Sequence, residues 1–222
     1  MSKIIIQKNE IGNIQSSLDY FLKFNIPKDA KILDIGCNYG SLIYNLYCLG
    51  YENIFGIDIE GDSINKGRLF YPEISNNLSK HNPGDIPFND NTFDVVLMFD
   101  VIEHVPNIEI FINKVKKTLK PGGVFIFQTP NKFINIPWEI INGRSLTKWQ
   151  SYHCSLQTAL SLKNMMIKTG FSKIKIEKGN ILTKHNKNKV YKKMGFVGIL
   201  ILNIFQKVPL IIFPNLWGVC EK

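Results

Sequence analysis

Two aspartates and two glycines carry the clearest chemical spacing in this 222-residue chain. The first group reads Asp34-Ile35-Gly36-Cys37-Asn38-Tyr39-Gly40, and the run Asn53-Ile54-Phe55-Gly56-Ile57-Asp58 ends on an acid 18 residues after Gly40. Glycines in such a loop let the backbone pass close beneath a ligand, and a helix starting there offers free N–H groups. An acid placed like Asp58, at the end of the following strand, is spaced to accept both hydroxyl hydrogens of a ribose. Each of these aspartates has a plainer reading as a helix cap, so the loop, the acid and their register must be taken together.

A dinucleotide loop reads GxGxxG, whereas this one reads GxxxG with a carboxylate two residues ahead of the first glycine. That carboxylate would repel a pyrophosphate and suit an amine. The implied ligand carries an ammonium group and no phosphates, and S-adenosylmethionine is such a ligand. Methyl transfer from a sulfonium is an in-line displacement, for which positioning and orientation can supply about 7–11 kcal/mol. A general base helps where the acceptor carries a proton of high pKa. His104, directly after Glu103, and His153, closing Trp149-Gln150-Ser151-Tyr152-His153, are the catalytic candidates. A lone histidine is as readily a hydrogen-bonded structural residue. His81 and His185 read as loop histidines. The cysteines Cys37, Cys48, Cys154 and Cys220 form no CxxC pair and no zinc-spaced cluster, so no metal site is expected and a reduced, cytoplasmic setting is the default.

These residues need a scaffold that brings strand ends together. Apolar runs at 31–35, 53–59, 78–79, 93–99, 124–128, 171–177 and 216–221 read as strands. Helical spacing or capping marks 14–24, 41–49, 62–70, 108–119 and a helix from a Ser155 cap to Thr169. Strands alternating with helices predict an α/β fold, a Rossmann-like doubly wound, mostly parallel seven-stranded sheet with an antiparallel C-terminal edge strand and helices on both faces. Residues 1–222 read as one domain. Within it, 131–153 is a long connection carrying Phe133, Trp138, Trp149 and Tyr152, read as an acceptor lid, and 178–215 is an insertion before the last strand.

The ordered motifs resemble the class I S-adenosylmethionine-dependent methyltransferases, in particular the subgroup of ubiquinone-biosynthesis-type and related small-molecule enzymes. LDIGCNYG is similar to the first motif of that family, GIDIE to its second, and GDIPFNDNTFDVV to its adenine-binding loop and next strand. DVIEHVPN, LKPGG and TPN complete a pattern covering roughly residues 15–177. The resemblance implies that Asp34, Gly36 and Gly40 line the methionine part of the donor, with Cys37 a small packing residue beside it. It implies that Asp58 holds the ribose, Ile59 packs on the adenine, Asp85 accepts from the adenine amine with Ile86 beside it, and Phe99 and Asp100 face the methionine part and the acceptor. Asn38 stands where the family often has glycine; asparagine tolerates the left-handed backbone better than most residues. The Asn/Asp-Pro-Pro-aromatic motif of amide and exocyclic-amine methylation is replaced by Phe99-Asp100-Val101-Ile102, which disfavours those acceptors, favours oxygen or carbon and leaves ring or amine nitrogen open; the subgroup implies a small molecule, and the basic and apolar segment described next would suit a lipid-linked one.

The net charge is +9, from 27 basic and 18 acidic residues. Residues 178–220 hold seven lysines and no acid, leaving twenty basic against the same eighteen acidic residues elsewhere. The excess is therefore local. Five lysines fall within 184–193 and an apolar stretch follows to Phe213, interrupted by Asn203, Gln206, Lys207 and Pro209. Such interruptions argue against a spanning helix. A basic run beside an apolar one resembles an interfacial membrane anchor, which makes peripheral membrane contact through 184–213 one reading; the plainer one is a solvated loop and a helix covering the sheet edge. The competing functions are an RNA methyltransferase using 184–193 as an electrostatic footprint, which the near-neutral remainder disfavours, and a non-catalytic donor-binding module.

Overall fold

The computed structural model describes residues 14–143, 150 and 153–222. Its centre is a seven-stranded sheet: β1 (Ile32–Ile35), β2 (Ile54–Asp58), β3 (Leu78–Lys80), β4 (Phe93–Phe99), β5 (Leu119–Pro130), β6 (Ser172–Lys178) and β7 (Asn215–Glu221). The spatial order is β3-β2-β1-β4-β5-β7-β6. The first five strands run parallel, and β7 enters antiparallel between β5 and β6. All four residues of β1 are buried, as a strand covered on both faces requires.

Among the described residues, seven α-helices accompany the sheet: α1 (Ile14–Leu22), α2 (Ser41–Cys48), α3 (Gly61–Phe70), α4 (Ile108–Thr118), α5 (Lys132–Gly143), α6 (Ala159–Lys168) and α7 (Lys184–Lys207). On one face, Leu33, Val96, Met98, Phe125 and Phe127 pack with Phe111 and Val115 of α4 and Leu162 and Met166 of α6. On the other, Ile32, Val95, Leu97 and Ile126 pack with Phe21 of α1, Leu46 of α2 and Ile64 of α3. The doubly wound sheet expected from the alternation of elements is thus the one formed.

Three local expectations need correction. The helix after the lid starts at Ala159 rather than at a Ser155 cap. Thr158 and Ser161 form the capping box, Thr158 Oγ1 accepting from the Ser161 amide at 3.1 Å while Ser161 Oγ accepts from the Thr158 amide at 2.8 Å. That reciprocal pair satisfies two amides at once, more than a lone serine could. The supposed lid loop is helical over Lys132–Gly143, although Pro137 lies inside and removes one backbone donor. The basic run 184–193 is likewise helical and capped by Thr183, and α7 as a whole is kinked at Gly195 (φ 59°, ψ −146°). Trp149 and Tyr152 lie outside the described residues.

The register fixes where the site sits. Strands β1, β2, β4 and β5 end at one edge of the sheet. β7 begins at that same edge, Asn215 opposite Pro130, and β6 ends there, Lys178 opposite Leu216. The insertion between β6 and β7 therefore springs from the edge at which the glycine loop lies.

Candidate active site

The loop after β1 turns through two left-handed glycines, Gly36 (φ 78°) and Gly40 (φ 82°), with Asn38 (φ 50°) between them. A Cβ on Gly36 would overlap Val101 Cγ2. Asparagine thus holds the left-handed position, and the loop keeps its course. The Gly36 and Cys37 amides both donate to the Ile57 carbonyl, at 2.8 and 3.1 Å, which ties the loop to β2. At the end of β2, Asp58 accepts from the Asn38 amide at 2.8 Å and from the Glu60 amide at 2.9 Å. Two amides so placed orient the carboxylate and leave it lone pairs for further donors.

Two cavities meet above this loop. The first, of about 450 Å³, takes its walls from Gly36, Asn38, Asp58, Ile59, His81 and Val101, among others. The second, of about 350 Å³, includes Asp34, Cys37, Phe99, Asp100, Glu103 and His153. Gly36, Asn38, Asp100 and His104 line both, so the glycine turn and the end of β4 form the partition. Each volume lies in the range of small-molecule sites.

The electrostatics of the second cavity are dominated by buried acids. Burial pushes Asp34 up to about 8, with the nearby Asp58 carboxylate adding to the rise. Burial likewise raises Glu103 to about 8, helped by Asp100; the hydroxyl of Thr129 donates to Glu103 Oε2 at 2.8 Å. Asp100, whose side chain is exposed where the two cavities meet, is raised by the desolvation of its surroundings, against the opposing influence of Gln128, His104 and His153. Burial raises the Cys37 thiol as well, which leaves it a packing group rather than a thiolate. His153 is lowered, first by burial and then by His104. Its Nδ1 is buried with no hydrogen-bond partner among the described residues. The His104 and His153 rings lie 5.0 Å apart. Ligand-type atoms of Glu103, His104 and His153 fall within 4.8 Å of one another, close enough for these three to hold a metal ion.

The structure gathers most of the residues singled out from the sequence around these two cavities. Gly40 stands just behind the loop, its amide donating to the Cys37 carbonyl at 2.8 Å. Asp85 and Ile86 are placed differently. Pro83 and Gly84 supply the wall, Asp85 Oδ1 accepts from the Ile86 amide at 2.9 Å, and Ile86 belongs to the core. Phe133 is exposed on α5 and lines neither cavity. Several wall residues had no sequence signal of their own. His81, read as a loop histidine, lines the first cavity because its amide donates to the Asp58 carbonyl, at 3.1 Å, and draws that loop over the end of β2. Phe111 reads only as the apolar face of α4. Glu103 is 1% exposed, a burial that a charged residue next to a histidine does not advertise.

A donor with an ammonium group and a ribose fits these residues. A buried carboxyl that favours its proton when alone is stabilised as an anion by a cation at its side. Asp58 presents an oriented carboxylate, and Gly36 leaves the close approach that a side chain would fill. The strand order and this site together define a class I methyltransferase fold, and S-adenosylmethionine is its cofactor. A family model described as a methyltransferase domain matches residues 6–176, and the chain belongs to that family. It is 37% identical over 109 residues to a ubiquinone biosynthesis O-methyltransferase of Colwellia psychrerythraea, covering 48% of this chain and 44% of that protein. It is 34% identical over 111 residues to the protein of the same name from Rickettsia bellii, covering 49% and 45%. The match thus spans less than half of either relative's length. An S-adenosylmethionine-dependent methyltransferase of Mesorhizobium loti superposes with a TM-score of 0.69 at 14% identity, covering 95% of this chain and all of that one. Among the described residues, no helix is long and apolar enough to cross a membrane.

Proposed function

We propose that this enzyme methylates a small or lipid-linked acceptor at oxygen or carbon, the acceptor entering the cavity that holds His153. The observation that carries the reading is the division of the site into two cavities joined at Gly36, Asn38, Asp100 and His104. One is suited to a nucleoside and the other bears the histidines. S-adenosylmethionine supplies an activated, sulfonium-bound methyl group. Asp34, Gly36, Gly40 and Cys37 surround the methionine part, Asp34 neutralising the ammonium. Asp58 accepts from the ribose hydroxyls and Ile59 covers the adenine. Asp85 and Ile86 hold the loop whose Pro83 and Gly84 face the ring. Phe99 and Asp100 stand between donor and acceptor.

His153 is the proton acceptor in this reading. Its lowered pKa favours the neutral imidazole, and its ring lines the cavity that the acceptor would enter. His104 lies beside it as the second catalytic candidate. An oxygen acceptor agrees with the names of the relatives, and a lipid-linked one with the basic and apolar segment 184–213, for which we propose membrane contact rather than nucleic-acid binding. Transfer of labelled methyl into cell extract, separated into organic, polar small-molecule and RNA fractions, tests the reading. Label in the organic or polar fraction is expected. Label confined to RNA would overturn it, as would donor binding without any labelled product.

A further inference from the structure

Among the described residues, helix α7 leaves an apolar face without a partner. Phe196, Val197, Leu200 and Ile204 are 69, 61, 50 and 64% exposed, and Ile211 and Ile212 continue the patch on the turn that follows. No other part of the described surface concentrates large apolar side chains to this degree. Patches of this kind mark contact surfaces.

The segment is pinned at its base. Lys178 Nζ donates to the Gln206 and Val208 carbonyls, at 3.3 and 3.1 Å. Gln206 accepts from the Ile181 amide at 2.8 Å and donates to the Gly179 carbonyl at 3.3 Å. Asn131, one residue after the cavity wall at Pro130, donates to the carbonyls of Ile211 and Phe213 at 3.0 and 2.9 Å. Of the residues that interrupt the apolar run, Gln206 is thus used inward as an anchor, while Asn203 and Lys207 stay exposed with the apolar side chains around them.

Charge selects the occupant. Lys187, Lys189, Lys192 and Lys193 are exposed on the turns before Gly195, Lys207 closes the helix, and residues 178–220 contain no acid. The twelve residues after Gly195 are too short to cross a bilayer at about 1.5 Å per residue, but suit its boundary. We propose that α7 and the turn at 210–212 form a docking surface for an anionic lipid bilayer, which sets the edge of the sheet that opens into the acceptor cavity against the membrane. The surface itself stands without the methyl-transfer reading; only its use in delivering a lipid-linked acceptor rests on it.

Flotation of the full chain with vesicles tests the proposal. Vesicles of phosphatidylcholine mixed with phosphatidylglycerol should carry at least about tenfold more protein than phosphatidylcholine alone, and high salt should release it. K189E/K192E/K193E should lower binding by about tenfold or more. V197E/L200E, changed at exposed positions, should abolish it. Binding of S-adenosylmethionine, measured by calorimetry on each variant, should not change. Failure to float on either vesicle by a chain that binds the donor would overturn the proposal. So would a stable dimer that V197E/L200E converts to monomer while the wild type ignores vesicles, or RNA binding through the same lysines without lipid binding. Flotation by a chain that fails to bind the donor would leave the surface standing and remove the methyltransferase reading instead.

Discussion

The donor loop and helix α7 carry opposite kinds of cost. Around Gly36 the chain buries its acids: Asp34 is 4% and Glu103 1% exposed, and their proton affinity rises accordingly. Around Gly195 it exposes its apolar side chains beside lysines, in a stretch, 178–220, that contains no acid. Each region is unfavourable alone, the first through desolvation of carboxyls and the second through wetting of hydrocarbon. Each is relieved by a partner of the complementary kind, a cation in one case and an anionic apolar boundary in the other. Regions that keep such costs are where binding is to be sought.

The contrast between the two regions is most exposed to test at Asp58. Its carboxylate collects two amides at the edge of the first cavity, and two ribose hydroxyls would add two charge-assisted hydrogen bonds of about 1.5–3 kcal/mol each. Asp58→Ala should therefore weaken S-adenosylmethionine binding by more than about a hundredfold in calorimetry, with activity lost in parallel. Vesicle binding by the same variant should be unchanged. Unaltered donor affinity would remove Asp58 from the ribose role.

A pair of glycines measures the difference in packing. Gly36 and Gly195 both have positive φ, yet a Cβ at Gly36 would overlap Val101, while at Gly195 it would meet nothing within 4 Å. Gly36→Ala should cost about 2–4 kcal/mol in urea unfolding, from backbone strain and overpacking together. Gly195→Ala should cost about 1 kcal/mol or less, because the open surroundings let the two halves of α7 straighten. Equal costs at the two sites would mean that α7 is packed as rigidly as the donor loop.

The same contrast explains what could be read from the sequence. The sheet, its order and the donor loop were legible because apolar runs, glycines and acids there obey local rules: Ile32–Ile35 must be a buried strand and Gly36 must turn. The helical state of 132–143 was hidden by Pro137, which signals a break, and the cap at Thr158 by Ser155, an equally good capping type three residues earlier. His81 and Glu103 gained their places from contacts across the chain, the Asp58 carbonyl and the Thr129 hydroxyl, which no short window contains. For α7 the composition was plain but the outward direction of its apolar face was not, since Gln206, which interrupts it in sequence, is turned inward as an anchor.

The finest distinction between the two regions is their response to pH. Asp34 and Glu103 are both raised to about 8, from about 4 in an unfolded chain. Between those values the folded state holds protons that the unfolded state has released, so their contribution to stability is full below about pH 4 and is lost as pH rises through about 8. A cation beside Asp34 reverses the preference of that group. Binding of S-adenosylmethionine at pH 7 should then release close to one proton, read as a difference in calorimetric enthalpy between phosphate and Tris buffers, and Asp34→Asn should abolish the release. Asp58, Asp100, Glu103 and the two histidines share the site, so the variant is needed to assign the proton. Vesicle binding, which depends on exposed lysines, should stay level between pH 7 and 8. Donor binding without proton release would show that Asp34 is already ionised in the free enzyme, and that its neutralising partner lies within the protein.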